Sequence, residues 1–175
     1  MKRKKTFPPV KLIAGFIYKS EDILNKAESL LEKKFSKIDF KSQPLDFIHT
    51  DYYREEFGDN LKRKFISFQR LIQPALLARI KNATNKIEKR LSRENRRQIN
   101  IDPGYISQGK LVLATTKDYR HRIYLGKGIF AEVTLYYQDG DFRAWDWTYP
   151  DYKTKDYIRI FNKIRKLYAE QIKNK

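Results

Sequence analysis

From Val10 to Tyr18 the chain reads VKLIAGFIY, apolar at every position except Lys11 and rich in β-branched and aromatic side chains. Pro9 and Ser20 bound the run, and the pattern predicts a buried strand. Ser20 is placed to cap a following helix, with Glu21 and Asp22 in its first turn, where the helix dipole favours acids. Ile23, Leu24, Ala27, Leu30, Leu31 and Phe35 then recur at helical spacing and predict one buried stripe. A strand followed by a helix implies helices packed on a sheet.

The next stretch is less regular. Residues 38 to 51 are interrupted by Pro44, and the alternation of Phe47 and His49 with Ile48 and Thr50 predicts one or two short strands. Gly58, Asp59 and Asn60 form a turn signal. KRKFISFQRL, Lys62 to Leu71, fits either strand or helix, with Phe65, Ile66 and Phe68 favouring strand and Pro74 ending it. Pro74 also suits the first turn of a second helix, whose apolar face is Leu76, Leu77, Ile80, Ala83, Ile87 and Leu91. From Arg79 to Arg97 eight cations face only Glu88 and Glu94.

Gln98 to Asp102 predicts a short strand ending in an Asp102-Pro103-Gly104 turn. Lys110 to Thr115 is a strand or a helical turn. Arg122 to Leu125 and Ile129 to Tyr137 read as strands paired around Gly126-Lys127-Gly128, and Asp139-Gly140 is a strong hairpin signal leading to a third strand near Phe142 to Trp147. Tyr157, Ile158, Phe161, Ile164, Leu167, Tyr168 and Ile172 mark a closing helix. This order predicts an α+β fold: one domain from residue 10 to 175, with a mixed, mainly antiparallel sheet and about three helices on one of its faces. Residues 1 to 9, MKRKKTFPP, read as a flexible basic tail, since the apolar run after them is too short and too interrupted for a signal peptide.

Composition narrows the function classes. The chain has 175 residues, 41% of them hydrophobic, which suits a domain with a real core. It has no cysteine, which excludes disulfides and thiolate metal sites and fits a cytoplasmic location. No run of eighteen apolar residues is present, so no membrane partner is expected. The formal charge of +17 suggests a polyanionic partner, although a Lys-, Ile- and Asn-rich composition of the kind AT-rich genomes encode would give a similar excess.

The candidate chemistry gathers between Thr115 and residue 128. Lys117, Arg120, Arg122 and Lys127 are cations suited to an anionic ligand, and His121 among them would stay neutral and able to take a proton near pH 7. Asp102 is a second catalytic candidate, and Asp102 and Asp151 would orient or bind a cation beside the ligand; Asp102 with Glu132 could hold a hard cation against a phosphate, but no ligand spacing supports a metal site. Gly104 to Lys110 has the glycine and lysine spacing of a phosphate-binding loop, but Leu111 stands where a Ser or Thr is needed. Trp145, Trp147 and Tyr149, spaced by two, could stack bases or simply pack across a hairpin.

Several long strings are distinctive: NIDPGY, KLVLATTKDYRHRIYLGKGIFAEVTLYY and WTYPDY, together with PVKLIAGFIY and TDYYREEFGDNLKRKFISF. They resemble a bacterial family catalogued as domain of unknown function 4416, over nearly the whole chain from Pro9. The resemblance implies no established activity and transfers no catalytic residue; some members carry a GTP-binding label. The residues themselves support three expectations. The first is binding, with or without turnover, of a phosphorylated anionic ligand such as a nucleotide around residues 115–128. The second is an RNA-binding module using the basic helices, and the third an assembly partner with no ligand of its own. Cofactor and oligomeric state are left open by the sequence.

Overall fold

The computed structural model describes residues 7–48 and 52–174. His49 and most of the basic tail therefore lie outside the described residues. In chain order the elements are β1 (Val10–Tyr18), α1 (Glu21–Lys34), β2 (Ile38–Lys41), β3 (Leu45–Asp46), the single turn α2 (Arg54–Phe57), β4 (Lys62–Ile72) and α3 (Leu77–Arg90). After them come β5 (Ile99–Ile106), β6 (Lys110–Thr115), β7 (Arg122–Gly126), β8 (Ile129–Gln138), β9 (Asp141–Ala144) and α4 (Lys155–Lys173). One nine-stranded sheet runs in the order β2-β4-β1-β5-β6-β8-β7, with β3 also on β4 and β9 also on β8. All of these pairings are antiparallel.

β1 is the hub, between β4 and β5, and all nine of its residues are buried. Successive side chains of a strand point to opposite faces. Leu12, Ala14, Phe16 and Tyr18 therefore pack on one face against Ile23, Leu24 and Leu31 of α1 and Ile80 and Ile87 of α3. Ile13 points the other way, toward Phe65 and the α4 residues Tyr157, Phe161 and Ile164. The helices thus cover both faces of the sheet, not one as the sequence suggested. A strand with no polar face needs cover on both sides, and α4 supplies the second. The single charge in the run, Lys11, is buried but paired with Asp39, and its Nζ donates to Gln171 Oε1 on α4 at 2.9 Å. The cap at Ser20 forms as expected, its Oγ accepting from the Ile23 N–H at 3.4 Å.

Asp102-Pro103-Gly104 is not a turn. β5 runs straight through it, paired with β1 from Lys11↔Ile106 to Tyr18↔Ile99. On its other side β5 meets β6 only over Gly104–Ile106. The Ser107 N–H bonds to the Lys110 carbonyl at 2.9 Å, so positions 105 and 103 are the next on β5 to present backbone groups toward β6. At 103 the residue is proline, which has no N–H to give. The ladder stops there and the two strands part. Gly104 marks the last close contact: a Cβ on it would lie 2.3 Å from the Val112 carbonyl oxygen. Gly104→Ala should cost at least about 1–3 kcal/mol in urea denaturation, because a backbone atom cannot move aside as a side chain can.

The same geometry removes the phosphate-loop reading. Gly104 to Ile106 is strand, residues 107–109 are the hairpin turn, and Lys110 begins β6. No helix follows to offer its N-terminal N–H groups to a phosphate.

Candidate functional site

Where β5 and β6 part, α3 fills the opening from one side. Its Lys81 Nζ donates to the Ile101 carbonyl at 2.9 Å, and its Glu88 Oε1 accepts from the Ile101 N–H at 2.6 Å. Two turns of helix apart, these buried side chains replace the strand neighbour that Ile101 lacks. Burial pushes the Glu88 carboxyl up from its usual range, and Lys81, the Ile101 N–H and Arg97 offset only part of that rise. Arg97 holds the next layer: Nε and Nη2 take both Glu56 oxygens at 2.6 Å, while Nη1 reaches Glu88 Oε2 at 3.1 Å and Asn100 Oδ1 at 3.2 Å. α2, α3 and β5 are thereby tied together at one guanidinium.

On the sheet itself a row of charges crosses six strands, from β4 to β7. Register places Arg63 opposite Ile17, Gly15 opposite Asp102, Gly104 and Glu132 both opposite Leu113, and Arg122 opposite Glu132. Arg63, on β4, must pass over β1 to reach Asp102 on β5, and Gly15 makes this passage possible. A Cβ at Gly15 would sit 3.5 Å from the guanidinium carbon and 2.8 Å from the Phe65 ring. Arg63 Nη1 donates to Asp102 Oδ2 at 3.2 Å and Nη2 donates to the Tyr152 hydroxyl, with the guanidinium 4.9 Å from the Phe65 ring centre. Its side chain is only 2% exposed. Burial raises the Tyr152 hydroxyl well above its ordinary value, so it remains a phenol.

Asp102 is the hinge of the row. Burial alone would raise its carboxyl, but Arg63 and then Lys81 outweigh burial and hold it below the usual carboxylate range. A depressed carboxyl contributes stability that is complete above its unfolded value, about 3.9, and lost as pH falls through the lower folded value. The Asp102→Asn protein should therefore be less stable at pH 7. Its urea midpoint should then fall less steeply than that of the parent protein between about pH 4 and pH 2. Parallel acid limbs for the two proteins would contradict this account.

The parted strands enclose a cavity of about 540 Å³. Lys81, Glu88 and Arg97 lie at one side and Arg63, Asn100 and Asp102 at another. Leu113 to Lys117 with Arg122 and Glu132 form the wall opposite β5, and Tyr52, Tyr53 and residues 149–152 add to the lining. Lys117, Tyr52 and Tyr149 are exposed and so form the rim. Arg122 is half-buried and fixed by three bonds: Nε to Glu132 Oε2 at 2.9 Å, Nη1 to the Lys117 carbonyl at 3.0 Å and Nη2 to the Tyr149 hydroxyl at 3.4 Å. Lys117 Nζ donates to the Tyr52 hydroxyl and lies 4.0 Å from that ring's centre.

Five cations and four carboxylates line the cavity, so its charge is nearly balanced. Arg63, Lys81, Arg97 and Arg122 each have a carboxylate within 4 Å. Among the described residues, Lys117 is the lining cation without one.

The expected site residues divide. Lys117, Arg122, Asp102 and Asp151 line the cavity. Arg120 does not; it lies over the Tyr119 ring at 5.8 Å. Nor does Lys127, which sits with φ +56 in the β7–β8 turn. His121 stands just behind the wall. Its Nε2 is 2.9 Å from Glu132 Oε2, the oxygen that also takes Arg122, so its immediate partner is a carboxylate and not a ring of cations. Asp102 and Glu132 are likewise committed, to Arg63 and to Arg122 with His121. Among the described residues, no group of three or more His, Cys, Asp or Glu side chains could hold a metal ion.

Trp145 and Trp147 belong to a stack of rings. Trp147 lies between His121, at 5.2 Å and 20°, and Trp145, at 4.9 Å and 10°. Tyr119 and Tyr136 extend the stack at its two ends. Trp147 remains 39% exposed and its Nε1 donates to the Val133 carbonyl, while Thr148 Oγ1 donates to the Thr134 carbonyl at 2.6 Å. The stack caps the stretch of the β8 edge between the partners β7 and β9.

The sequence model of a family described as a domain of unknown function (DUF4416) matches residues 8–168. The chain belongs to that family. Every residue lining the cavity falls inside the match, so the parted sheet is part of the DUF4416 domain and not of an appendage. No curated protein and no solved structure matches the chain. Among the described residues no helix is long and apolar enough to cross a membrane.

Proposed function

We propose that the cavity between β5 and β6 binds a small phosphorylated ligand, a nucleotide or sugar phosphate. One observation carries this reading: Lys117, a cation without a carboxylate partner among the described residues, stands at the rim of a cavity whose interior offers both donors and acceptors. The volume falls within the range of small-molecule sites. Lys117 and the fixed guanidinium of Arg122 would take the anionic group. Asp102, whose side chain keeps 25% of its surface, would accept hydrogen bonds from hydroxyl or amine groups deeper in. Tyr52 and Tyr149 would flank the ligand at the rim.

The near balance of charge inside supports a ligand that is anionic at one end and polar but neutral at the other. A cavity built for inorganic phosphate alone would have no use for four carboxylates. His121 reaches the cavity only through Glu132, so binding is the reading offered and His121 is a group that positions Glu132. Melting curves in the presence of nucleoside mono-, di- and triphosphates, sugar phosphates and inorganic phosphate test it. An organic phosphate should raise the melting temperature more than inorganic phosphate at equal concentration. A panel in which none does so sinks the proposal.

A further inference from the structure

The outer face of α3 carries a second feature, separate from the cavity. Arg79, Lys86 and Arg90 lie within about 40° of one another around the helix and are spaced about 10 and 6 Å along it. All three are exposed, as are Lys89, Arg93 and Arg96 just beyond. Among the described residues none of these six has an ion pair, although the protein pairs most of its buried and half-buried cations. The opposite face of the helix is buried by Leu77, Ile80, Thr84 and Ile87, so the cations are held on a rigid element.

The turn after α3 sharpens the pattern. Arg93 and Arg96 exchange backbone hydrogen bonds at 3.0 and 2.8 Å across a two-residue turn. Its central residues, Glu94 and Asn95, have φ of +47° and +61°. This is the geometry that favours Asn-Gly, and a glutamate at its first position is strained. The turn sets two arginines directly opposite each other, an arrangement that repels unless an anion lies between or across them. They stand beside Lys89 and Arg90, in the last turn of the helix.

We infer that this face, Arg79 through Arg96, is a docking surface for the phosphodiester backbone of a nucleic acid. The stripe is linear, rigid and convex, which suits a polymer of phosphates and not a small anion. Four of the six cations are arginines, whose planar fork matches phosphate oxygens. No large hydrophobic residue between 77 and 97 is exposed; Leu76, just before the helix, is 38% exposed, and a single such residue is a weak anchor in a lipid surface. From Arg79 to Arg90 the stripe is about 16 Å long, equal to the axial rise of about five nucleotides of a duplex. α4 is also basic but covers the other face of the sheet, so it cannot extend this surface.

The test is fluorescence anisotropy with about 20-nucleotide duplex RNA, duplex DNA and single-stranded RNA over a range of NaCl concentrations. The parent protein should bind at least one of them with an affinity that falls as salt rises. Arg90→Ala/Arg93→Ala/Arg96→Ala should reduce the log–log salt slope by about 2.7, three contacts at about 0.9 each. Lys155→Ala/Lys163→Ala/Lys166→Ala, which removes the same charge from exposed positions on α4, should leave the slope near that of the parent. The three probes decide among RNA, DNA and strandedness. Equal losses in the two variants would show diffuse attraction and overturn the inference. So would the absence of binding at 50 mM salt, or tighter binding to polyglutamate or to anionic vesicles than to every nucleic acid tried.

Discussion

Replacing Arg63 with methionine should lower the free energy of unfolding by about 3–5 kcal/mol, the usual cost of stranding one charge of a buried pair. In a domain of this size that corresponds to a fall in melting temperature of roughly 6 to 20 °C. Arg63 is buried among Phe65, Tyr152 and Tyr157, and its guanidinium is the nearer of the two cations that hold Asp102 ionised. Methionine fills much of the same volume but leaves the carboxylate facing Lys81 alone, at 3.9 Å. The double variant Arg63→Met/Asp102→Leu should recover a large part of the loss, because an apolar pair often replaces a buried ion pair without penalty. Equilibrium urea unfolding reads both. A cost below about 1 kcal/mol for the single variant would show that the pair behaves as a solvated one, and the row of charges across the sheet would lose its structural meaning.

The second large effect is expected at the rim. Lys117→Ala should weaken binding of a phosphorylated ligand about 10- to 150-fold, as loss of one charge-assisted hydrogen bond worth 1.5–3 kcal/mol does. Stability without ligand should hardly change, since Lys117 is exposed and its side-chain partner is the exposed Tyr52. Arg120→Ala and Lys127→Ala serve as controls. All three residues look alike in sequence, yet neither control residue lines the cavity, and both variants should bind as the parent does. If all three weaken binding alike, the ligand is held by general positive charge and not by the cavity.

The local features were legible because short-range physics decides them. Ser20 announces the cap of α1, and the apolar periodicities of α1, α3 and α4 describe the faces that become buried. Asp139 and Gly140 both take positive φ and turn β8 into β9 as that dipeptide predicts. The α+β class follows from the order of these elements. Asp102-Pro103-Gly104 misled because the same three residues that favour a turn also serve inside a strand. There Pro103 lies toward the opening and Gly104 is pressed against a neighbouring backbone. Which of these holds depends on β1, which lies far away in sequence, and on where β6 stops pairing.

The candidate site was half legible for a similar reason. Lys117 and Arg122 stood out within a dense cationic stretch, and they do reach the cavity. Arg63, Lys81, Glu88 and Arg97 do not stand out among the chain's many charges, because charge alone does not reveal burial. One sequence signal could have marked Arg63: it alternates with Phe65 on a strand otherwise suited to burial, opposite a run containing Gly15. Lys81 and Glu88 also fall seven apart on the apolar side of a helix, where a cation and a carboxylate together imply a buried pair. Neither signal can be weighted without knowing which strands meet.

The central claim is that the opening between β5 and β6 is a site for a small phosphorylated molecule. Isothermal titration of the purified protein with the nucleotide or sugar phosphate that most raises its melting temperature tests it most directly. The account predicts saturable binding at one site per chain, with affinity much reduced in Lys117→Ala and unchanged in Lys127→Ala. Titrations that show no saturable heat with any such compound, or equal affinity in Lys117→Ala and the parent, would contradict it.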